Sequence, residues 1–388
     1  MLLPITWLLP VLVAFIRPPQ PKFEAQTIDD NISIGYGLAL ADVDGDGKPD
    51  ILLADKKQFV WYRNGDCKKF VIAENLTEHD NVCIAARDIN GDGKVEVAVG
   101  AQWNPSETSN AEQSGAVYYL IRPEDPTHLW KAIKLYHEPT IHRMRWYKSS
   151  GGKYYLIVAP LHGIGNKDGA GNGVNMLIFE YPQNVNTEWH TYKLMSNMHL
   201  THNLEIVESP DKSKSGFYLA GKEGIKFIHD GSFTKSNPEI ERLPGMDSAA
   251  GEVRIGKASS NENYIAAIEP MHGQNVVVYL KGEGSGRIVI DNDFKEGHAL
   301  ATADFLGIGS DQVAAGWRVP NKDSTVGIKL YTEKNSVGSE WESHWIDENG
   351  MACEDMKVMD MDHDGKPDIV ASGRSTHNLK IYWNRSTK

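Results

Sequence analysis

The chain has 388 residues and a formal net charge of −12, with 40% apolar and 24% charged residues. That length suffices for one large all-β domain or two smaller ones, and the composition is that of an ordinary globular protein. The acidic balance argues against nucleic acid as a partner.

The N-terminus is apolar from Leu2 to Ile16, broken by Pro4 and Pro10, and is followed by Arg17-Pro18-Pro19-Gln20-Pro21. Such a run is short for a membrane helix and fits the apolar region of a secretory signal. Residues 1–21 are therefore expected to direct export, periplasmic or extracellular, leaving 22–388 as a single domain with no stable membrane span. No Lys or Arg precedes the run and no small-residue cleavage site is evident, so an uncleaved anchor is the alternative. Cys67, Cys83 and Cys353 show no metal spacing, and an odd count leaves at least one thiol unpaired.

The first strong motif is Asp42-Val43-Asp44-Gly45-Asp46-Gly47-Lys48-Pro49-Asp50. Carboxylates at loop positions one, three, five and nine match the first half of a calcium loop, and the glycines permit the tight turn. Apolar runs on both sides, Leu38–Ala41 and Ile51–Ala54, make this a loop between strands rather than an EF-hand. The motif returns at Asp88, Asn90, Asp92 and Glu96, and again at Asp360, Asp362, Asp364 and Asp368. A worn copy, Asp304–Asp311, lacks the middle carboxylates and is expected to bind no metal. Structural calcium is expected in the three complete loops, suited to the millimolar calcium outside cells.

Aligning the strand before each loop extends the pattern to segments without the motif. The starts are Gly35, Asn81, Ile141, Thr201, Gly251, Gly297 and Cys353, roughly 46 to 60 residues apart. Each leads to a second apolar strand, a third such as Phe59–Tyr62 or Val276–Leu280, and a fourth such as Glu342–Ile346. Four strands at this period predict an all-β fold, a seven-bladed β-propeller of four-stranded antiparallel blades. The last unit lacks its fourth strand, and Phe23–Ile28 is expected to supply it and close the ring. Two β-sandwiches are the less even alternative.

Asp-x-Asp-x-Asp-Gly-x-x-Asp ahead of a short apolar strand resembles the FG-GAP or VCBS repeat of β-propellers. The motif speaks for fold and poorly for function, since adhesion proteins, lectins and lyases share it.

In a propeller the first strand of each blade lines the central channel. The loop joining the second and third strands opens on the same face as the start of the first. The first-strand position holds Tyr36, Val82, His142, His202, Glu252, His298 and Glu354. The second-strand ends bring Lys56, Lys57, Gln102, Trp103, His162, Lys222, Glu223, His272, Trp317, Arg318, Arg374 and His377. Convergent His, Arg, Lys and Glu with a few aromatics suit an active-site funnel, although water-filled channels also tolerate polar residues.

Blades three and five share a Pro-x-His-Gly turn, at Pro160–Gly163 and Pro270–Gly273. Neither turn needs a histidine for its geometry. His162, His142, His202, His272 and His298 are candidates for a general base or for ligands of a divalent metal such as zinc. Arg318, Arg374 and Lys222 suit an oxyanion or a sugar carboxylate, with Gln102, Glu252, Glu354 and Tyr36 beside them. Trp103 and Trp317 are candidates to stack on a sugar ring. The Gly- and Asn-rich loop Gly163–Gly173 and the segment Asn104–Ser114 could cover the funnel.

The FG-GAP loops and the Pro-x-His-Gly turns together make the chain similar to the propeller domain of aldos-2-ulose (1,5-anhydrofructose) dehydratases. Propeller polysaccharide lyases such as ulvan lyases offer the same chemistry. The resemblance implies base-catalysed β-elimination on a keto-sugar or uronic-acid glycan, with His162 the first choice of base. The fungal dehydratases carry cupin domains after the propeller, and any isomerisation assigned to those is expected to be absent here. A non-catalytic carbohydrate-binding or adhesion propeller is the alternative.

Overall fold

The computed structural model describes residues 19–387 apart from 210, 212–213, 236–237, 281–285 and 336. The apolar run read as an export signal lies outside the described residues. Among the described residues no helix is long and apolar enough to cross a membrane.

The described strands form seven four-stranded antiparallel sheets. Six are built from consecutive strands, beginning with the inner strands Gly37–Ala41, Cys83–Arg87, Ile141–Lys148, Thr201–Val207, Glu252–Lys257 and Gly297–Ala303. The seventh runs outward from Cys353–Met359 through Asp368–Gly373 and Asn378–Asn384 and takes its outer strand from Phe23–Asp29. Phe23 pairs with Asn384 and Thr27 with Lys380, so the N-terminal strand closes the ring as expected.

Each blade packs both faces against neighbours. That is why the second strands read as unbroken apolar runs rather than alternating ones. Asp50–Ala54, Glu96–Ala101 and Asp368–Gly373 are buried at every position. The core is accordingly a series of wedges between blades. One wedge joins Val82 and Ile89 of the second blade to Met144, Leu156 and Trp189 of the third. The outermost strands face solvent, as in Trp341–Glu348, where burial falls to partial or none.

The Asp-rich loops all join first to second strands and so lie on the face opposite the predicted funnel. Their fold rests on two side chains. Asp42 accepts the Gly45 and Gly47 N–H at 2.7 and 2.8 Å. Asp50 accepts the Val43 and Asn64 N–H, both at 2.8 Å. The worn loop repeats this with Asp304 and with Gln312, whose Oε1 accepts the Leu306 N–H at 2.9 Å. A neutral amide thus does the same structural work as the ninth-position carboxylate.

Candidate functional site

Five inner strands bring polar side chains to the axis, and in four of them the pairing slips at that point. Ile141 pairs with Pro160 and Arg143 with Ala159, so His142 is the extra residue. His298 and Glu354 are extra in the same way, and in the fourth blade the slip spans His202 and Asn203. A bulge leaves its extra residue out of the ladder and re-aims the side chains around it. Consecutive residues such as His142 and Arg143, or Glu354 and Asp355, can then both turn toward the channel.

Three imidazoles meet there. His202, His272 and His298, from blades four, five and six, each offer a ring nitrogen, and these atoms lie within 4.8 Å of one another. His202 Nδ1 is 2.8 Å from the Gly251 carbonyl, and His298 Nδ1 is 2.6 Å from that of Glu354. Only an N–H satisfies a carbonyl, so both rings carry a proton on Nδ1 and turn Nε2 toward the axis. His202 Nε2 in turn stands 2.7 Å from His272 Nε2. Such an approach requires a proton or a cation to relieve lone-pair repulsion. Burial, assisted by His202, Arg318 and Arg143, drives the His272 pKa down to about 2. Burial likewise holds His298 well below the ordinary histidine range. His272 and His298 are therefore held neutral, and main-chain carbonyls orient the His202 and His298 rings as they do for metal-binding histidines. The donor set fits a divalent transition cation.

His142 lies beside this cluster in a different role. Its Nδ1 is 3.1 Å from the His202 carbonyl, Arg143 donates to its Nε2 at 3.0 Å, and Trp103 stacks on it at 4.9 Å. Both ring nitrogens are occupied, so His142 buttresses His202.

Glu354 organises the other flank. It accepts from Arg318 at 3.0 Å and from Arg374 at 3.0 Å, while Arg318 also binds Glu296 at 2.8 Å. Both arginines are thus already paired with carboxylates. Arg374 lies over the Tyr36 ring at 5.5 Å, and the Tyr36 hydroxyl donates to Asp80 at 3.2 Å. Burial, with the Asp80 charge, pushes the Tyr36 pKa up to about 12. Glu252 accepts from Asn203 at 2.9 and 2.8 Å and pairs with Arg254 at 3.1 Å. Burial alone would raise its pKa, but His202 and Arg254 bring it down to about 2.

The remaining candidates are dispersed. Trp317 is fully buried and packs tilted against Phe294 with ring centroids 4.3 Å apart, a core position rather than a sugar platform. Gln102 accepts the His79 N–H at 3.0 Å and ties loops together. Lys222 donates to the Gly169 carbonyl at 2.7 Å and so anchors the Gly163–Gly173 loop. That loop is further tied to Asn104–Ser114, where Thr108 donates to the Asn166 carbonyl at 2.7 Å and accepts from Gly165 through its own carbonyl at 2.9 Å.

At this mouth of the funnel His162 has a buried Nδ1 with no hydrogen-bond partner among the described residues, and burial lowers its pKa. Next to it, through the bridge between His162 and Leu200, comes His199. Its Nδ1 lies 2.7 Å from Glu223, and Nε2 has no hydrogen-bond partner among the described residues. Sequence reading passed over His199 and the channel residues Arg143, Asn203 and Asp355. The legible signal for the last three was a pair of polar residues in succession, His142-Arg143, His202-Asn203 and Glu354-Asp355, where a regular strand alternates.

On the opposite face, Asp42, Asp44 and Asp50 gather oxygens within 4.8 Å, as do Asp360, Asp362 and Asp368. Asp46, Asp92 and Asp364 each accept the N–H two residues on, from Lys48, Lys94 and Lys366 at 2.8, 2.8 and 2.9 Å. In the second blade Asp88 accepts the Gly91 N–H at 2.7 Å, and Asn90 turns its amide to Glu96 at 3.2 Å. In the seventh, Arg385 reaches Asp362 at 2.8 Å and Asp364 at 3.2 Å, a resident cation in the loop.

Comparison with known proteins gives the same outline. Residues 31–99 match the FG-GAP-like repeat and residues 84–120 the FG-GAP repeat. Residues 114–282 match the family described as aldos-2-ulose dehydratase, beta-propeller domain. No curated protein matches the chain in sequence. Among solved structures, a chain of the mitotic checkpoint complex is 11% identical with a TM-score of 0.56, covering 98% of this chain and 96% of that one. A chain from BBS1N in complex with ARL6DN is 12% identical with a TM-score of 0.56, covering 95% and 98%. The WD40 propeller domain of Doa1 is 8% identical, again at 0.56, covering 94% and 97%. At these identities the likeness is one of fold alone. The chain is a seven-bladed β-propeller with FG-GAP repeats, and its central blades resemble the propeller domain of aldos-2-ulose dehydratases.

Proposed function

We propose that the funnel is the active site of a carbon–oxygen lyase that eliminates across a keto-sugar or uronic-acid unit, with His202, His272 and His298 holding a divalent cation of the zinc type. The observation that carries this reading is the convergence of three imidazoles, each offering a ring nitrogen within 4.8 Å of the others. Three protein ligands and an open position are the pattern of catalytic rather than structural zinc. Such a cation supplies Lewis-acid polarisation of a carbonyl or carboxylate oxygen.

The chain's own residues do the rest. Elimination needs a base for the proton beside the carbonyl and a proton source for the departing oxygen. His199 is the base in this reading, a choice that departs from His162. Glu223 holds its tautomer and stabilises the imidazolium that forms, the logic of a histidine backed by a carboxylate. The proton taken up by His199 is then delivered to the departing oxygen, and His162, half-buried beside it, hydrogen-bonds that oxygen. Arg318, fixed by Glu354 and Glu296, sets a positive field beside the cluster without being free to move. Calcium in the loops of blades one, two and seven braces the opposite face, and export places the protein where calcium is abundant.

A binding-only propeller would need exposed stacking aromatics. The two tryptophans at the funnel do not offer such platforms, Trp317 being buried and Trp103 packed on His142. The test is ultraviolet absorbance during incubation with keto-sugars and uronic-acid polysaccharides, since elimination creates a conjugated product and binding does not. His199→Gln is expected to lower turnover about 100-fold or more. Unchanged turnover in that variant, with loss in His162→Gln, would return the role of base to His162.

A further inference from the structure

Along the axis from the histidine cluster the channel is lined by buried and half-buried charge that the proposed chemistry does not use. Arg143 and Arg145 come from the third blade, Asn203 and Glu205 from the fourth, Glu252 and Arg254 from the fifth, and Asp355 and Lys357 from the seventh. The carboxylates are committed. Glu252 takes Arg254 at 3.1 Å and the Asn203 amide, and Glu205 lies 3.9 Å from Arg254. Asp355 takes Lys357 at 2.7 Å and the Leu38 N–H at 2.8 Å.

The two arginines of the third blade are different. No carboxylate lies within 4.0 Å of either among the described residues. Arg143, 6% exposed, spends one nitrogen, Nη1, on His142, both at Nε2 and at the carbonyl. Arg145 donates to the Met144 carbonyl at 2.8 Å and to Asn203 at the long distance of 3.4 Å. A guanidinium carries five N–H donors, so most are left without an acceptor. Four basic side chains, Arg143, Arg145, Arg254 and Lys357, share this stretch of the axis with three acidic ones, Glu205, Glu252 and Asp355, so basic groups outnumber acidic ones by one. An unpaired cation away from bulk water is costly, and a counter-charge is the usual remedy.

We propose that the axial channel binds a single monovalent inorganic anion of halide size between Arg143 and Arg145. One negative charge balances the excess. The carboxylates of Glu205, Glu252 and Asp355 around the same axis disfavour sulfate or phosphate. The ion would hold Arg143 against His142, and through it the His202 side of the cluster, so that the site acts as a positioning element.

Crystals of the unaltered protein soaked in sodium bromide test this directly. A bromide anomalous peak within contact distance of both guanidinium groups supports the site, and a channel holding only water overturns it. Thermal melts in chloride, bromide, gluconate and sulfate at equal ionic strength give a second readout. The expected result is a saturable rise of about 3 °C in the two halides over gluconate. That increment should disappear in Arg145→Met, which leaves the funnel residues in place. Equal melting in all four salts, or a rise confined to sulfate, contradicts the assignment.

Discussion

At the scale of single residues, the centre of the molecule depends on ionic states set by burial. Glu252 is 1% exposed, yet it stays charged because Arg254, His202 and Asn203 surround it. Removing its charge leaves Arg254 with only the distant Glu205. Glu252→Gln is expected to cost about 3 kcal/mol of stability, the usual result of breaking a buried pair from one side. Urea denaturation of the purified variant measures it. Which histidines ring the axis was readable, because counting back six residues from Asp42, Asp88, Asp304 and Asp360 gives Tyr36, Val82, His298 and Glu354, and the same register in the other blades gives His142, His202 and Glu252. What His142 does there was not readable. Its two nitrogens are used by a carbonyl from the next blade and by its own neighbour, and contacts of that kind have no sequence period. Trp317 failed as a sugar platform for a similar reason. A tryptophan at a strand end reads the same whether it faces the funnel or the wedge between blades.

At the scale of elements, the Asp-rich loop was legible in every copy, and its internal wiring was not. The ninth-position carboxylates are buried against backbone N–H groups. Burial pushes Asp50 up to about 7, Glu96 to about 7 and Asp368 to about 6, against the N–H bonds that pull them down. A carboxyl whose pKa is raised on folding adds stability while it is protonated, below its unfolded value, and loses that contribution as pH rises through the folded value. Chelator-treated protein is therefore expected to melt lower at pH 8 than at pH 5. Calcium, by neutralising the same carboxylates, should raise the melting temperature more at pH 8 than at pH 5. Scanning calorimetry with and without calcium at both pH values decides this, and an equal effect of calcium at both would show that these carboxylates are not coupled to the metal.

The bulges are the element that pattern reading did not foresee. Strand alternation predicts one channel residue per two positions. A bulge admits two in a row, which is how Arg143, Asn203 and Asp355 came to the axis unannounced. The closing strand, by contrast, was evident from a blade that ended one strand short. Deleting residues 19–29 removes the outer strand of the seventh blade and exposes the ladder edge of Asn378–Asn384. The deletion is expected to lower the melting temperature and to promote association, seen as higher-mass species in size-exclusion chromatography.

At the scale of the whole molecule, the fold assigns the two faces different work. The Asp-rich loops lie on one face, and the histidine cluster with its paired arginines occupies the other. The architecture was legible because a repeat imposes its period on seven successive units, and errors in one blade are corrected by the others. The site has no such redundancy. It is assembled from one or two side chains in each of several blades, and its geometry exists only in the closed ring. The measurement that bears most directly on the account is metal-dependent formation of a conjugated product. Chelated protein should be silent, zinc should restore absorbance on a keto-sugar or a uronic-acid glycan, and His272→Ala should neither retain zinc nor form product. Product formed equally by chelated protein or by His272→Ala would contradict the assignment of the funnel as a metal-assisted lyase site.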